Sequence, residues 1–181
     1  MEGSRPVTTE SHGFIAPQFD ADQGRKLAII CSKGTLDMAY PGLIMGNGAA
    51  QEGIETHLFF TFWGLDIIRR KTVDKLTMTP VGNTAMRIGS TSLAMPQLLG
   101  ALPGMSNIAS WMMRGKIAGL AVPPVHEFLT QITDAGGHLW ACRMSVDMMK
   151  LTKADFIEEV EDIINVSDFL ELSRDAQIIF V

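Results

Sequence analysis

Apolar positions cluster along this chain in short runs separated by longer polar or glycine-rich stretches. Lys26-Leu27-Ala28-Ile29-Ile30-Cys31 is apolar throughout after its lysine, which predicts a parallel strand buried on both faces. Thr35 or Asp37 then caps a helix through about Gln51, with Gly53 ending it. Glu55 to Phe62, rich in aromatic and β-branched residues, predicts the second strand. The three form a strand-helix-strand unit of the right length for a right-handed crossover. Gly64 to Lys71 reads as a short helix whose last turn, Arg69-Arg70-Lys71, suits a helix C-terminus.

The pattern then loses its regularity. Pro80, Gly82, Gly89, Pro96, Gly100, Pro103 and Gly104 interrupt it, with one helical stretch expected from Asn107 to Lys116. An irregular insertion over about 72–122 is expected to act as a lid or an oligomer surface. Regularity returns at Pro123, with Pro124 placed in the first turn of a helix to about Ala135 that Gly136-Gly137 closes. His138 to Cys142 is the next strand. Thr152-Lys153-Ala154-Asp155 resembles a capping box opening a helix with Phe156, Ile157 and Val160 on one face. Ser167 or Asp168 caps a further helix through Arg174, and Gln177 to Val181 closes the chain as a strand. Alternation of strands and helices predicts a three-layer α/β/α sandwich with a mainly parallel sheet in flavodoxin-like order. Residues 1–24 read as a flexible leader and 25–181 as one domain.

Bulk properties narrow the function classes. The chain has 181 residues, enough for a proper core, and 46% of them are hydrophobic against 19% charged. A net charge of -5 with no Lys/Arg run gives no electrostatic case for nucleic acid. Two cysteines build no disulfide framework, and no CxxC or Cys/His cluster suggests zinc. Met1 to Asp22 lacks the apolar core of a signal peptide, so a cytoplasmic location with reduced thiols is expected. Ile88 to Met113 carries no formal charge, but Pro96, Pro103 and its polar residues break any spanning helix. It reads as a buried or interface-forming segment, with shallow membrane contact compatible.

Candidate chemistry centres on the thiols. In a 2-1-3 strand order the first and third strands are neighbours, and Cys31 and Cys142 flank one ligand crevice at their ends. Cys31, deep in an apolar run, reads as a small buried hydrophobe. Cys142, followed by Arg143 and the polar turn at Ser145, fits packing and nucleophile equally well from position alone. A helix start and the Arg143 cation would favour its thiolate. No partner base is identifiable: His138 sits about 13 Å away along the same strand, at the rise per residue of an extended chain. Ser32-Lys33-Gly34-Thr35 follows the first strand as a phosphate loop would, without the full GxxxxGK[ST] pattern, and GxGxxG is absent. No cofactor is expected. The twelve methionines fit adaptable packing better than soft-metal ligation. Asp37 and Asp147 read as caps or solvated charges, and Phe62-Trp63-Gly64-Leu65 as core.

Two segments carry a family resemblance. Phe59-Phe60-Thr61-Phe62-Trp63-Gly64-Leu65 and Leu139-Trp140-Ala141-Cys142-Arg143-Met144-Ser145 resemble the DsrE/DsrF/DsrH-like proteins, in particular the DsrE2-type branch, over about residues 25–181. The resemblance implies a homo-oligomeric sulfurtransferase-like fold that carries sulfane sulfur as a cysteine persulfide. Its implied partners are small sulfur-carrier and rhodanese-like proteins. The matching position for the sulfur-carrying cysteine is Cys142. Arg143 and local amides would steady the anionic sulfur, with Ser32 or Lys33 acting across the crevice. Two other readings stand beside this one: an oligomeric binding or scaffold module with inert thiols, and a Cys31–Cys142 redox pair.

Overall fold

Lys26–Cys31 forms β1 as its apolar run predicts, and Leu36–Gln51 forms α1 behind an extended Thr35 at the N-cap. Gly53 follows with φ 74, a left-handed conformation that glycine adopts without a Cβ penalty. β2 is Glu55–Phe60. The computed structural model describes residues 24–78, 102, 104–120 and 122–181. The expected leader, save Gly24, and much of the 72–122 insertion therefore lie outside the described residues. Within that insertion, Val73–Lys75 is a short 3-10 turn and Met105–Ala118 is α2, two residues longer at each end than the expected helix. α3 is Val125–Asp134, with Pro124 at its N-cap rather than in its first turn.

His138–Cys142 is β3, and it runs directly into α4, Arg143–Met148. The capping box at Thr152 and Asp155 is present, but it opens only a 3-10 turn, Lys153–Asp155. The helix expected beyond it is replaced by β4, Val160–Ile164. The last helix, α5, is Val166–Leu172, capped by Asn165 with Asp168 as the reciprocal partner of the box. β5 is Gln177–Phe180. Gly64 to Lys71 is not an α-helix: the chain turns through a 3-10 segment, Phe62–Ile67. Gly64 presses against the backbone of β1 there, so closely that a Cβ would stand 2.0 Å from the Cys31 carbonyl oxygen.

Among the described residues the four strand pairings are parallel, and the order is β4-β3-β2-β1-β5. The α/β sandwich stands, but the 2-1-3 order does not, because β2 lies between β1 and β3. Every step from β1 to β4 moves the same way across the sheet, and only the step to β5 reverses. Right-handed crossovers then place α1 and α3 on one face and α5 on the other. Packing agrees: Leu43, Phe128, Leu129 and Ile132 meet Ile29, Leu58 and Leu139 on the first face. Phe169 and Leu172 of α5 cover Ala28, Phe59, Cys142 and Ile164 on the second.

Candidate functional site

Alternation along parallel strands sends the two thiols to opposite faces. Cys31 belongs to the packing cluster under α1 and Cys142 to the one under α5. β2 separates their strands, so their Cα atoms stand about 10 Å apart at two strand spacings. A disulfide needs about 7 Å or less. The shared crevice and the Cys31–Cys142 redox pair are both overturned by this one fact of topology.

Cys31 is 2% exposed and sits beneath α1, where a Cβ on Gly42 would come within 3.1 Å of its sulfur. Burial in this apolar setting pushes its thiol up to about 12, so at neutral pH it has almost no thiolate. That chemistry suits a packing residue. Ser32 and Lys33 lie at the same end of β1. Ser32 Oγ donates to the Val181 carbonyl at 3.0 Å, and its backbone N–H donates to the same oxygen at 2.9 Å. With the Val181 N–H bond to the Ile30 carbonyl at 2.8 Å, they extend the β1–β5 ladder by one residue. Lys33 is exposed. Neither residue reaches across to Cys142.

Cys142 ends β3 and is the N-cap of α4, with extended φ -72 and ψ 119 and no side-chain capping bond. The residue is 2% exposed, among Ala28, Phe59, Ile164 and Phe169. Arg143 points along the sheet edge, donating from Nη2 to the Ile163 carbonyl at 2.7 Å. Ser145 is the best-connected of the expected auxiliary residues. Its buried Oγ accepts the Phe62 N–H at 2.8 Å and shares a 3.1 Å hydrogen bond with Thr61 Oγ1. These bonds tie the start of α4 to the end of β2, the strand beside Cys142. Phe62 is held there at φ 47, a conformation bulky residues rarely adopt.

That strained turn carries a correction. Phe62 and Trp63 were expected in the core, yet they are 45% and 66% exposed, while Gly64 and Leu65 are buried. Met144 and Met148 of α4 are also exposed. Beyond the carboxyl ends of β2 and β3 the chain thus presents several exposed apolar side chains. Sequence reasoning also missed a polar cluster at the other end of the same face. His57 and His138 stack with ring centroids 4.9 Å apart, and Trp140 Nε1 donates to His57 Nδ1 at 3.2 Å. Its one sequence signal was alternation, which puts His57, His138, Trp140 and Cys142 on a single face.

Other features lie apart. A cavity of about 620 Å³ between α1, α2 and α3, lined by Tyr40, Arg114 and Glu127 among others, opens on the Cys31 side of the sheet. Among the described residues no three His, Cys, Asp or Glu side chains gather as a metal site. No described helix is long and apolar enough to cross a membrane.

Comparison with known proteins places the chain as a whole. A family model described as DsrE/DsrF/DrsH-like matches residues 23–181. The chain is 39% identical over 138 residues to the sulfur carrier protein DsrE2 of Allochromatium vinosum, covering 76% of this chain and 86% of that one. It is 24% identical over 143 residues to the uncharacterized protein YrkE of Bacillus subtilis, covering 77% of this chain and 86% of that one. The crystal structure of the ychN protein from E. coli superposes with a TM-score of 0.53 at 9% identity, covering 87% of this chain and 99% of that chain. At that identity the likeness concerns the fold.

Proposed function

The chain belongs to the DsrE/DsrF/DrsH-like family, and from that premise we propose that it is a sulfur carrier whose Cys142 holds sulfane sulfur as a persulfide. The observation that carries the reading is the likeness, over three quarters of the chain, to a relative named a sulfur carrier. Cys31, the other thiol, lies under α1 in the larger core cluster, with its thiol pushed up to about 12. In the exchange, the Cys142 thiolate attacks the terminal sulfur of a donor persulfide. One S–S bond forms and one breaks, the donor leaves as a thiolate, and no electrons are gained or lost overall. An acceptor thiolate reverses the step. Donor and acceptor are sulfur-relay proteins of the small-carrier or rhodanese-like kind, working in the cytoplasm with a homo-oligomer of this chain.

Burial sets a requirement on this chemistry. Sulfur exchange at Cys142 takes a local opening of the face that α5 covers, of the kind folded proteins undergo below the cost of global unfolding. The same burial favours a second reading, a scaffold module with inert thiols. Cys31→Ser separates them by leaving Cys142 as the sole thiol. Treated with polysulfide, this variant is expected to gain about 32 Da, one sulfur atom, and to lose it to excess small-molecule thiol. A variant that folds and gains no mass selects the scaffold.

A further inference from the structure

The polar cluster on the second face has a geometry that fixes its protonation state. An indole N–H only donates, so the His57 Nδ1 that receives it from Trp140 at 3.2 Å carries no proton. The proton of the neutral ring is then on Nε2, which faces Glu55 Oε1 at 2.9 Å. Protonation at Nδ1 would set two N–H donors against each other and cost the Trp140 bond. Trp140 is two residues from Cys142 on the same face of β3 and packs on the same apolar cluster.

We propose that the His57–Trp140 hydrogen bond is a proton-operated latch on the sheet face that buries Cys142, closed while His57 is neutral and released when its Nδ1 is protonated. The proposal deepens the sulfur-carrier reading by naming how its site is regulated, and rests on that reading for its purpose. Release frees the indole from its only hydrogen-bond partner among the described residues and loosens the packing over the thiol.

The groups around the latch define its direction. His57 is buried, and desolvation holds its proton affinity below the ordinary histidine range. Glu55 opposes this, though Lys26 of β1 competes for the same carboxylate at 2.8 Å. The stacked His138 of β3 adds to the lowering, and its own Nδ1 lies 2.9 Å from Glu161 of β4. Asp162 of β4 sits in register beside Trp140. From above, α5 contributes the apolar Phe169 and Leu172, plus the Leu172 carbonyl that Lys26 Nζ reaches at 3.2 Å. Glu171 of α5 pairs outward with Arg174. Because the folded state binds the His57 proton less readily than the unfolded chain, this group contributes stability that is full above about pH 6.5, the ordinary histidine value, and is lost as pH falls below it. Acid therefore opens the latch.

The test uses the full chain with Trp63→Phe and Trp111→Phe, both exposed positions, so that Trp140 is the only tryptophan, excited at a wavelength Tyr40 does not absorb. Between about pH 8 and about pH 5, Trp140 emission is expected to change in step with the His57 ring signals in NMR, with helical circular dichroism unchanged. His57→Gln offers the indole an amide oxygen and Glu55 an amide N–H without a titratable ring, so it is expected to abolish the change. Trp140→Phe is expected to raise the pH at which His57 titrates. A pyridyl disulfide reagent, which labels any accessible thiol whether or not it carries sulfur, reads the consequence at Cys142 in the Cys31→Ser background. Trp140→Phe is expected to speed labelling on the order of ten-fold at pH 8, the weight of one hydrogen bond, with the ratio falling toward one at pH 5. An emission change that survives His57→Gln, a His57 titration unmoved by Trp140→Phe, or a labelling ratio independent of pH overturns the latch. Failure of sulfur loading with these three results intact would overturn the carrier reading alone.

Discussion

Cys142→Ser is expected to abolish polysulfide loading completely, whereas the matched Cys31 variant keeps it. The two thiols are equally buried, so the contrast comes from their surroundings. Cys31 is locked under α1 with its thiol pushed up to about 12, which leaves about one molecule in ten thousand as thiolate at pH 8. Loosening α1 means breaking the central packing of the first face, where Leu36, Ala39 and Leu43 are buried against β1 and β2. Cys142 lies under a smaller cluster, covered by the seven-residue α5 at the sheet's second face. A hydroxyl in that apolar setting lacks a partner and costs about 1–3 kcal/mol. Cys142→Ala avoids the stranded hydroxyl and is the cleaner control: it is expected to fold and to show the same complete loss. Intact-mass measurement after polysulfide treatment reads all three variants.

Gly64→Ala is expected to give the largest loss of stability of any single methyl group added in the described chain. A Cβ at Gly64 would stand 2.0 Å from the Cys31 carbonyl oxygen and 2.7 Å from its carbon. Both are backbone atoms, so no side chain can swing aside. The neighbouring bonds hold the two segments together: Thr61 N–H donates to Cys31 O at 3.0 Å, and Gly64 N–H donates to Ser32 O at 3.1 Å. Relief requires separating the ends of β1 and β2, and the expected cost is about 3 kcal/mol or more. With an ordinary urea slope this lowers the denaturation midpoint by roughly 1–2 M. Gly48→Ala supplies the contrast. It sits in α1 with nothing within 4 Å of the added methyl, and is expected to stabilise the chain by about 0.5–1 kcal/mol. Equal midpoints for Gly64→Ala and the natural chain would contradict this account of the junction.

Local signals in the sequence carried much of the fold. β1 and β3 were legible because uninterrupted apolar runs of strand length have few other solutions, and α1 because Thr35 and Gly53 bracket it. β4 was not, for a physical reason: Val160–Ile164 carries Glu161 and Asp162 at its centre, and a register shift at Leu139/Trp140 breaks the alternation. A genuine capping box at Thr152 immediately before it pointed to a helix that ends after one turn. Strand order was invisible because it is decided by contacts far apart in the chain, and the misplaced order carried the shared crevice with it. Phe62 and Trp63 defeated the rule that aromatics at a strand end are core, since Ser145 and Gly64 fix the turn that turns them outward. The role of Ser145 itself depends on Thr61 and Phe62, 84 and 83 residues away along the chain, which no local pattern records.

The most direct test of the sulfur-carrier account locates the sulfur in the unmodified chain. After polysulfide loading and alkylation under conditions that preserve persulfides, trypsin releases Cys31 in the peptide 27–33 and Cys142 in a peptide ending at Arg143. The account predicts the increment of about 32 Da on the Cys142 peptide, with the 27–33 peptide carrying none. The increment on the 27–33 peptide, or on neither, would contradict it.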